Sequence, residues 1–191
     1  MTASRTAGPE PLHLRLAARA LAAGGVIACP TEAVWGLSCD PLNPDAVDRL
    51  LAVKGRDPAR GFILAAGTRA ALAPFMAPLL DAAREAIDAS WPGPVTWIVP
   101  AAAGVPEWLR GTNAGIAVRH SAHPAVAALT AAFGGAIVST SANPSGRAPA
   151  RTPLALRRYF GGRLDYILPG ALGGNREPSR IYDALTGARL R

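Results

Sequence analysis

Residues 136–146, Ala-Ile-Val-Ser-Thr-Ser-Ala-Asn-Pro-Ser-Gly, join a short apolar run to a loop rich in hydroxyl and amide side chains. The run at 136–139 predicts a buried β-strand. The loop at 141–146 offers side-chain and backbone donors to an anionic ligand, although a loop of this composition can equally be only a turn. No GxSxG motif surrounds the serines, which argues against a serine hydrolase. The stretch therefore predicts a core strand that ends in a candidate binding loop.

Further short apolar runs predict strands at 26–29, 62–65, 95–99, 116–119, 166–168 and 179–184. Helical spacing predicts helices at 12–23, from Asn43 or Pro44 to Lys54, and at 68–75, 78–90, 123–133 and 153–160. A turn is expected near Trp35-Gly36. Because these elements do not alternate in a regular βαβ rhythm, we predict an α/β fold with an open, mixed sheet flanked by helices.

Length and composition indicate a packed domain. The 191 residues suit one domain at 12–191 behind a flexible tail at 1–11, and 50% hydrophobic with 17% charged residues argues against disorder. No run approaches the roughly 18 apolar residues of a membrane span, and no apolar signal core opens the chain, so we expect a cytoplasmic protein. Cys29 and Cys39 match no zinc spacing and are expected to be buried free thiols.

The net charge of +7 comes almost wholly from arginine, because Lys54 is the one lysine in the chain. A positive balance favours polyanions such as nucleotides or RNA, although a GC-rich genome also enriches arginine. Arg157-Arg158 is the one adjacent basic pair, which argues against a nucleic-acid-binding arm. The pattern leaves a basic cavity as the better hypothesis.

Three basic residues lie within seven positions at the predicted end of a helix: Lys54, Arg56 and Arg60. Arginine forks bind phosphate oxygens in bidentate fashion and lysine adds a point charge, so the three could converge on a polyphosphate. They could also simply complement the helix dipole. Neither a GxxxxGK[ST] loop nor a GxGxxG motif is present. We expect Lys54 and Arg56 to face solvent.

Other polar residues stand near predicted strand ends. Arg119 could clamp a carboxylate from the end of its strand, or could be a solvated arginine. His120 and His123 form HxxH without a carboxylate at ligand spacing, so we predict no metal site and place His123 at a helix start. Asp183 could hold Mg²⁺ through water, or be an edge-strand carboxylate.

Read together, ordered motifs over about residues 12–191 resemble the YrdC/TsaC family of threonylcarbamoyl-AMP synthases in its short single-domain form. The motifs are Pro30-Thr31-Glu32, Trp35-Gly36-Leu37 with Cys39-Asp40, Lys54-x-Arg56, Trp91-Pro92-Gly93-Pro94-Val95-Thr96, Ala117-Val118-Arg119, Ser139-Thr140-Ser141-Ala142-Asn143-x-Ser145-Gly146 and Pro178-Ser179-x-Ile181-x-Asp183. The resemblance implies a YrdC-like fold, with a twisted mixed sheet flanked by helices around a basic cavity. It implies that L-threonine, bicarbonate and ATP give threonylcarbamoyl-AMP and pyrophosphate, for N6-threonylcarbamoyladenosine formation in tRNA.

The resemblance also implies roles for individual residues. Lys54 and Arg56 would be catalytic and contact the triphosphate. The implied ATP-binding set is Lys54, Arg56, Arg60, Ser139, Asn143, Thr152 and Arg191. The implied threonine-binding set is Thr31, Arg119, Ser141 and Ser179. Mg²⁺ would enter with ATP, without a direct ligand that the sequence identifies, and tRNA threonylcarbamoyl-transferase proteins would act downstream. Ala33, Trp35 and Ala65 depart from the family pattern near the threonine pocket.

Two alternatives to the synthase remain. One is an RNA- or ribosome-associated module that binds double-stranded RNA in the same basic cavity. The other is a carbamoyl-transferring relative that uses this fold within a larger hydrogenase-maturation protein, whose acylphosphatase-like and zinc-finger segments are not expected in this sequence. RNA affinity that falls with salt, without threonine-dependent release of pyrophosphate, would indicate the RNA module.

Overall fold

The computed structural model describes residues 8–191. Its strands are β1 (Ile27–Pro30), β2 (Trp35–Ser38), β3 (Ile63–Ala66), β4 (Val95–Pro100), β5 (Gly115–His120), β6 (Ile137–Ser141), β7 (Tyr166–Ile167) and β8 (Arg180–Asp183). Its α-helices are α1 (Pro11–Ala22), α2 (Pro44–Lys54), α3 (Asp81–Ser90), α4 (Glu107–Arg110), α5 (Pro124–Phe133) and α6 (Pro153–Phe160). Of the predicted flexible tail at 1–11, residues 1–7 lie outside the described part, and Pro11 already begins α1.

The eight strands form one sheet in the order β7-β1-β2-β6-β3-β5-β4-β8. Three neighbouring pairs, β1 with β7, β3 with β5 and β4 with β8, are parallel, and the other four pairs are antiparallel. Parallel neighbours need crossover connections, which places helices on the sheet faces. The predicted mixed sheet flanked by helices is confirmed.

The two faces of the sheet pack against different groups of residues because successive strand residues point to opposite sides. In β1, Ile27 and Cys29 join the cluster beneath α1 and α5, whereas Ala28 joins the larger cluster on the opposite face. In β3, Ala65 faces α5 while Leu64 faces the larger cluster. Both faces are therefore covered, and a site must lie at strand ends or in a gap between covering segments.

The structure differs from the sequence predictions at several elements. The turn expected near Trp35-Gly36 is wrong, because these residues begin β2, a strand buried along its whole length. The helix expected at 68–75 reduces to a 3₁₀ turn at Ala73–Phe75, where Pro74 stands in the first turn. The helix expected at 78–90 starts at Asp81, and the short α4 was not predicted.

Candidate active site

A cavity of about 500 Å³ opens between α2, the strand ends and the connecting loops. Of the residues implied to bind ATP or threonine, those that line it are Thr31, Lys54, Arg56, Arg60, Arg119, Ser139, Ser141, Asn143, Ser179 and Arg191. Thr152 is not in its wall, and its hydroxyl instead accepts a hydrogen bond from Ala155 N at the start of α6. Whether Thr152 contacts ATP stays a prediction, but the structure gives it a helix-capping role.

Lys54 is the last residue of α2, which ends where Gly55 takes a left-handed φ of 60°. The expectation that Lys54 faces solvent is wrong, because only 4% of the residue is exposed. Its Nζ donates to Ser141 O at 2.5 Å, Asn143 O at 2.9 Å and Asn143 Oδ1 at 3.1 Å. Burial lowers the pKa of Lys54 to about 8, and the charges of Arg56 and Arg60 add to this effect.

The loop after β6 is held in shape by its own polar groups. Asn143 Nδ2 donates to Pro144 O at 3.0 Å and to Arg147 O at 2.7 Å, while Ser145 N donates to Lys54 O at 2.8 Å. The residues that this segment adds to the cavity wall therefore include the hydroxyl-bearing Ser141 and Ser145, on a backbone that is bonded to the end of α2.

Arg56 follows α2 and lies half-buried in the cavity wall. Its Nη2 donates to Gly61 O at 2.7 Å, and its guanidinium lies 5.2 Å from the centre of the Phe62 ring. Gly61 has a φ of 58°, and an added Cβ there would lie 2.4 Å from Arg110 O, so only glycine suits this position. Arg56 Nε is buried and has no hydrogen-bond partner among residues 8–191. Burial lowers the pKa of Arg56, with a contribution from the neighbouring charge of Arg60.

Arg119, near the end of β5, is 8% exposed, which excludes the solvated arginine that was its alternative. It forms a salt bridge with Glu32, and Glu32 Oε1 also accepts from Ser121 Oγ at 2.6 Å. Arg119 Nε is buried without a partner in the described part of the chain. Its Nη1 also has no hydrogen-bond partner within residues 8–191 and, unlike Nε, is not buried, so Arg119 can still donate to an anion in the cavity that it lines.

Glu32 was not assigned a role from the sequence, although it belongs to the Pro30-Thr31-Glu32 motif. Its pairing with Arg119 joins positions 87 residues apart, and no local pattern reveals such a contact. The motif was the one signal that could have singled it out.

Ser179 and Arg191 form a second polar group on the wall. Ser179 Oγ lies 2.9 Å from Thr96 Oγ1, and Arg191 Nη2 donates to Ser179 O at 3.0 Å. Burial lowers the pKa of Arg191, and the charge of Arg119 contributes. The structure thus places Arg191, implied for ATP, beside Ser179, implied for threonine.

Thr31 Oγ1 donates to Val34 O at 2.6 Å and so also stabilises the turn between β1 and β2.

The histidines and Asp183 have structural partners. His123 Nδ1 accepts from Ala125 N at the start of α5, as predicted, and Nε2 donates to Ala171 O at 3.2 Å. Burial lowers the pKa of His123, which favours this neutral form. Asp183 Oδ1 accepts from the amides of Leu185 and Thr186. Within residues 8–191, no group of three or more histidine, cysteine or acidic residues could hold a metal ion.

The charge of the cavity wall is strongly positive. Its acidic residues are Glu32 and Glu177, and its basic residues are Lys54, Arg56, Arg60, Arg110, Arg119 and Arg191. Such a wall can bind and orient an anionic substrate.

Cys29 and Cys39 are free and buried, as predicted. Burial raises the pKa of Cys29, and raises that of Cys39 to about 12, so neither thiol is a nucleophile near neutral pH.

Fold and cavity together define an α/β protein with a basic cleft at its strand ends, whose charge suits a polyanionic ligand. Residues 19–191 match the family model Sua5_yciO_yrdC, described as "Telomere recombination". A "Threonylcarbamoyl-AMP synthase" of Halorhodospira halophila is 55% identical over 184 residues, which cover 96% of both chains. One of the same name from Nitrosococcus oceani is 52% identical over 179 residues, 94% of this chain and 97% of the other. The chain belongs to the Sua5/YciO/YrdC family.

A solved structure is similar as well. The "P. abyssi Sua5 complexed with L-threonine" superimposes with a TM-score of 0.86 and 28% sequence identity, covering 91% of this chain. This chain spans about half of the Sua5 chain, 51% of its length. The resemblance in fold inferred from the motifs is thereby confirmed.

No helix in residues 8–191 combines the length and the apolar character needed to cross a membrane.

Proposed function

We propose that this protein is a threonylcarbamoyl-AMP synthase, which converts L-threonine, bicarbonate and ATP to threonylcarbamoyl-AMP and pyrophosphate. Relatives of this name match it at 52–55% identity along nearly their whole length. The observation that carries the proposal is the basic cavity of about 500 Å³, whose wall includes the half-buried Arg56 and the buried Arg119, each with an Nη1 that has no hydrogen-bond partner within the described residues.

The reaction needs positioning more than covalent catalysis. The threonine amine and bicarbonate form a carbamate with loss of water. A carbamate oxygen then attacks the α-phosphorus of ATP, the bond between this phosphorus and the α,β-bridging oxygen breaks, and pyrophosphate leaves with that electron pair. The enzyme must align the two anions, stabilise the charge that develops on the phosphates, and keep water from a labile product. A basic cavity with hydroxyl-lined walls suits these tasks.

The geometry supports separate binding sites for the triphosphate and for threonine within the cavity. Arg56 and Arg60 follow α2, are close enough for the charge of Arg60 to act on Arg56, and would bind the triphosphate together with the hydroxyl groups of Ser139 and Ser141 in the same cavity wall. Arg119 would bind the threonine carboxylate through its remaining N–H groups. The two arginine groups would then bring the anionic carbamate and the α-phosphate together.

Several parts of the proposal come from the reaction chemistry. ATP would be used with Mg²⁺, and its phosphate oxygens and water suffice as ligands for the ion. A product that serves tRNA modification would pass to a threonylcarbamoyl-transferring protein in the cytoplasm, where ATP and tRNA are available. The double-stranded RNA module remains the second hypothesis, because the same basic wall would attract a polyanion.

Release of pyrophosphate tests the proposal. We expect the purified protein to release pyrophosphate from ATP only when threonine and bicarbonate are both present, with serine as the matched control substrate at the same concentration. Equal turnover without threonine contradicts the proposal. Salt-sensitive affinity for double-stranded RNA in a protein that releases no pyrophosphate would favour the second hypothesis.

A further inference from the structure

We infer that Lys54 is a positioning residue, whose ammonium holds the loop at 141–145 in its binding shape and does not contact the phosphates. The effect of Lys54 on catalysis rests on the proposed function, whereas its role in holding the loop rests on the geometry of the loop.

The donors of Lys54 are fully used inside the protein. A lysine ammonium has three N–H groups and no acceptor. Three oxygens, Ser141 O, Asn143 O and Asn143 Oδ1, lie within 3.1 Å of Nζ. With 4% of the residue exposed, no N–H remains to point at a ligand in the cavity.

Lys54 also binds the loop through its backbone. Its backbone oxygen accepts from Ser145 N at 2.8 Å, so a single residue fixes both ends of the segment 141–145. Its bond to Asn143 Oδ1 also sets the rotation of that amide, whose nitrogen then donates to Pro144 O and Arg147 O. The Asn143 side chain thus stabilises the loop by bonds within it, and its orientation depends on Lys54.

Arg56 shows the contrast within the same cavity. Its Nη2 donates to Gly61 O, but Nη1 has no partner among the residues that the structure describes and is not buried. Arg56 therefore has a donor for a phosphate oxygen, whereas Lys54 does not. The phosphates would be held by Arg56, Arg60 and the hydroxyl groups that Lys54 keeps in place.

The shape of the site explains why lysine stands here in a chain whose other basic side chains, histidine aside, are arginine. The three acceptor oxygens converge on one point, which matches the compact ammonium. A planar guanidinium presents its N–H groups in a wider fork and cannot satisfy all three oxygens in so buried a place.

The test compares Lys54→Met and Lys54→Arg with Arg56→Met in the full-length protein. Without ligand, we expect both Lys54 variants to speed amide hydrogen exchange at 143, 145 and 147 at least about tenfold, with β5 amides unchanged as internal control. Arg56→Met should leave this exchange at the wild-type rate. Calorimetry with inorganic tripolyphosphate should show at least a tenfold loss of affinity in Arg56→Met and less than a threefold loss in Lys54→Met.

Kinetics add a readout that a purely structural role would not give. Lys54→Arg keeps the charge, so we expect kcat to fall about tenfold or more while KM for ATP stays within about threefold. Unchanged loop exchange in both Lys54 variants overturns the inference, as does a tripolyphosphate defect in Lys54→Met equal to that of Arg56→Met. If Lys54→Met does not fold, Lys54→Arg alone decides through its loop exchange. Exchange and tripolyphosphate binding need no turnover, so they stand even if the wild-type protein releases no pyrophosphate.

Discussion

Replacement of Arg119 by lysine should weaken threonine binding far more than ATP binding. In the structure Nη2 of the guanidinium is held by Glu32, and Nη1 has no partner within residues 8–191 and is left for a ligand. Lysine at 119 could keep a contact with Glu32, but its single ammonium cannot also offer the forked pair of donors that a carboxylate accepts. One lost charge-assisted hydrogen bond is worth about 1.5 to 3 kcal/mol, which corresponds to about a 10- to 150-fold rise in KM for threonine.

Steady-state titration of each substrate against Arg119→Lys measures this effect. We expect KM for ATP to stay within about threefold of wild type, because the proposal assigns the lost donor to the amino acid and not to the nucleotide. Arg157→Lys, an exposed change on α6 outside the cavity wall, serves as the matched control and should change neither constant. A defect confined to ATP would reassign Arg119 to the nucleotide, and wild-type constants would refute the reasoning.

The remaining predictions concern other groups in and near the cavity. Arg56→Ala should lower kcat/KM for ATP at least about tenfold, which steady-state assays measure, while circular dichroism shows an intact fold. Glu32→Gln leaves a buried guanidinium charge without its partner, so chemical denaturation should show a loss of about 3 kcal/mol, against under 1 kcal/mol for Asp81→Asn in an exposed ion pair. The pKa of Lys54, about 8 in the folded protein against an ordinary 10.5, means that the unfolded chain binds more protons between these values. The free energy of unfolding should therefore rise from pH 8 to pH 9, by up to about 1.4 kcal/mol, and Lys54→Met should abolish this rise.

Local sequence signals were sufficient for most elements of the fold. The helix predicted from Asn43 or Pro44 to Lys54 matches α2, which Asn43 caps at one end and the left-handed Gly55 ends at the other, because such boundaries depend on single residues. β2 was missed because it is buried on both faces and so shows no alternation, and because Gly36 suggested a turn. An added Cβ at Gly36 would lie 3.2 Å from Thr31 Cγ2, so the glycine serves close packing in the strand.

The positions of the site residues were predictable, but their partners were not. Motif order placed all but one of the implied residues in the cavity wall. The burial of Lys54 beneath Ser141 and the pairing of Arg119 with Glu32 each join residues 87 positions apart. Such contacts depend on how β6, β5 and the β1–β2 turn meet in three dimensions, which helical and strand periodicity do not specify.

The identity of the nucleotide product tests the central claim most directly. Incubation of the protein with ATP, threonine and ¹³C-labelled bicarbonate, followed by rapid mass spectrometry, should give an adenylate that contains both threonine and one ¹³C atom. That product requires attack of the carbamate on the α-phosphate in the basic cavity. An adenylate of threonine without the ¹³C atom, or AMP or ADP as the first product, would contradict the account.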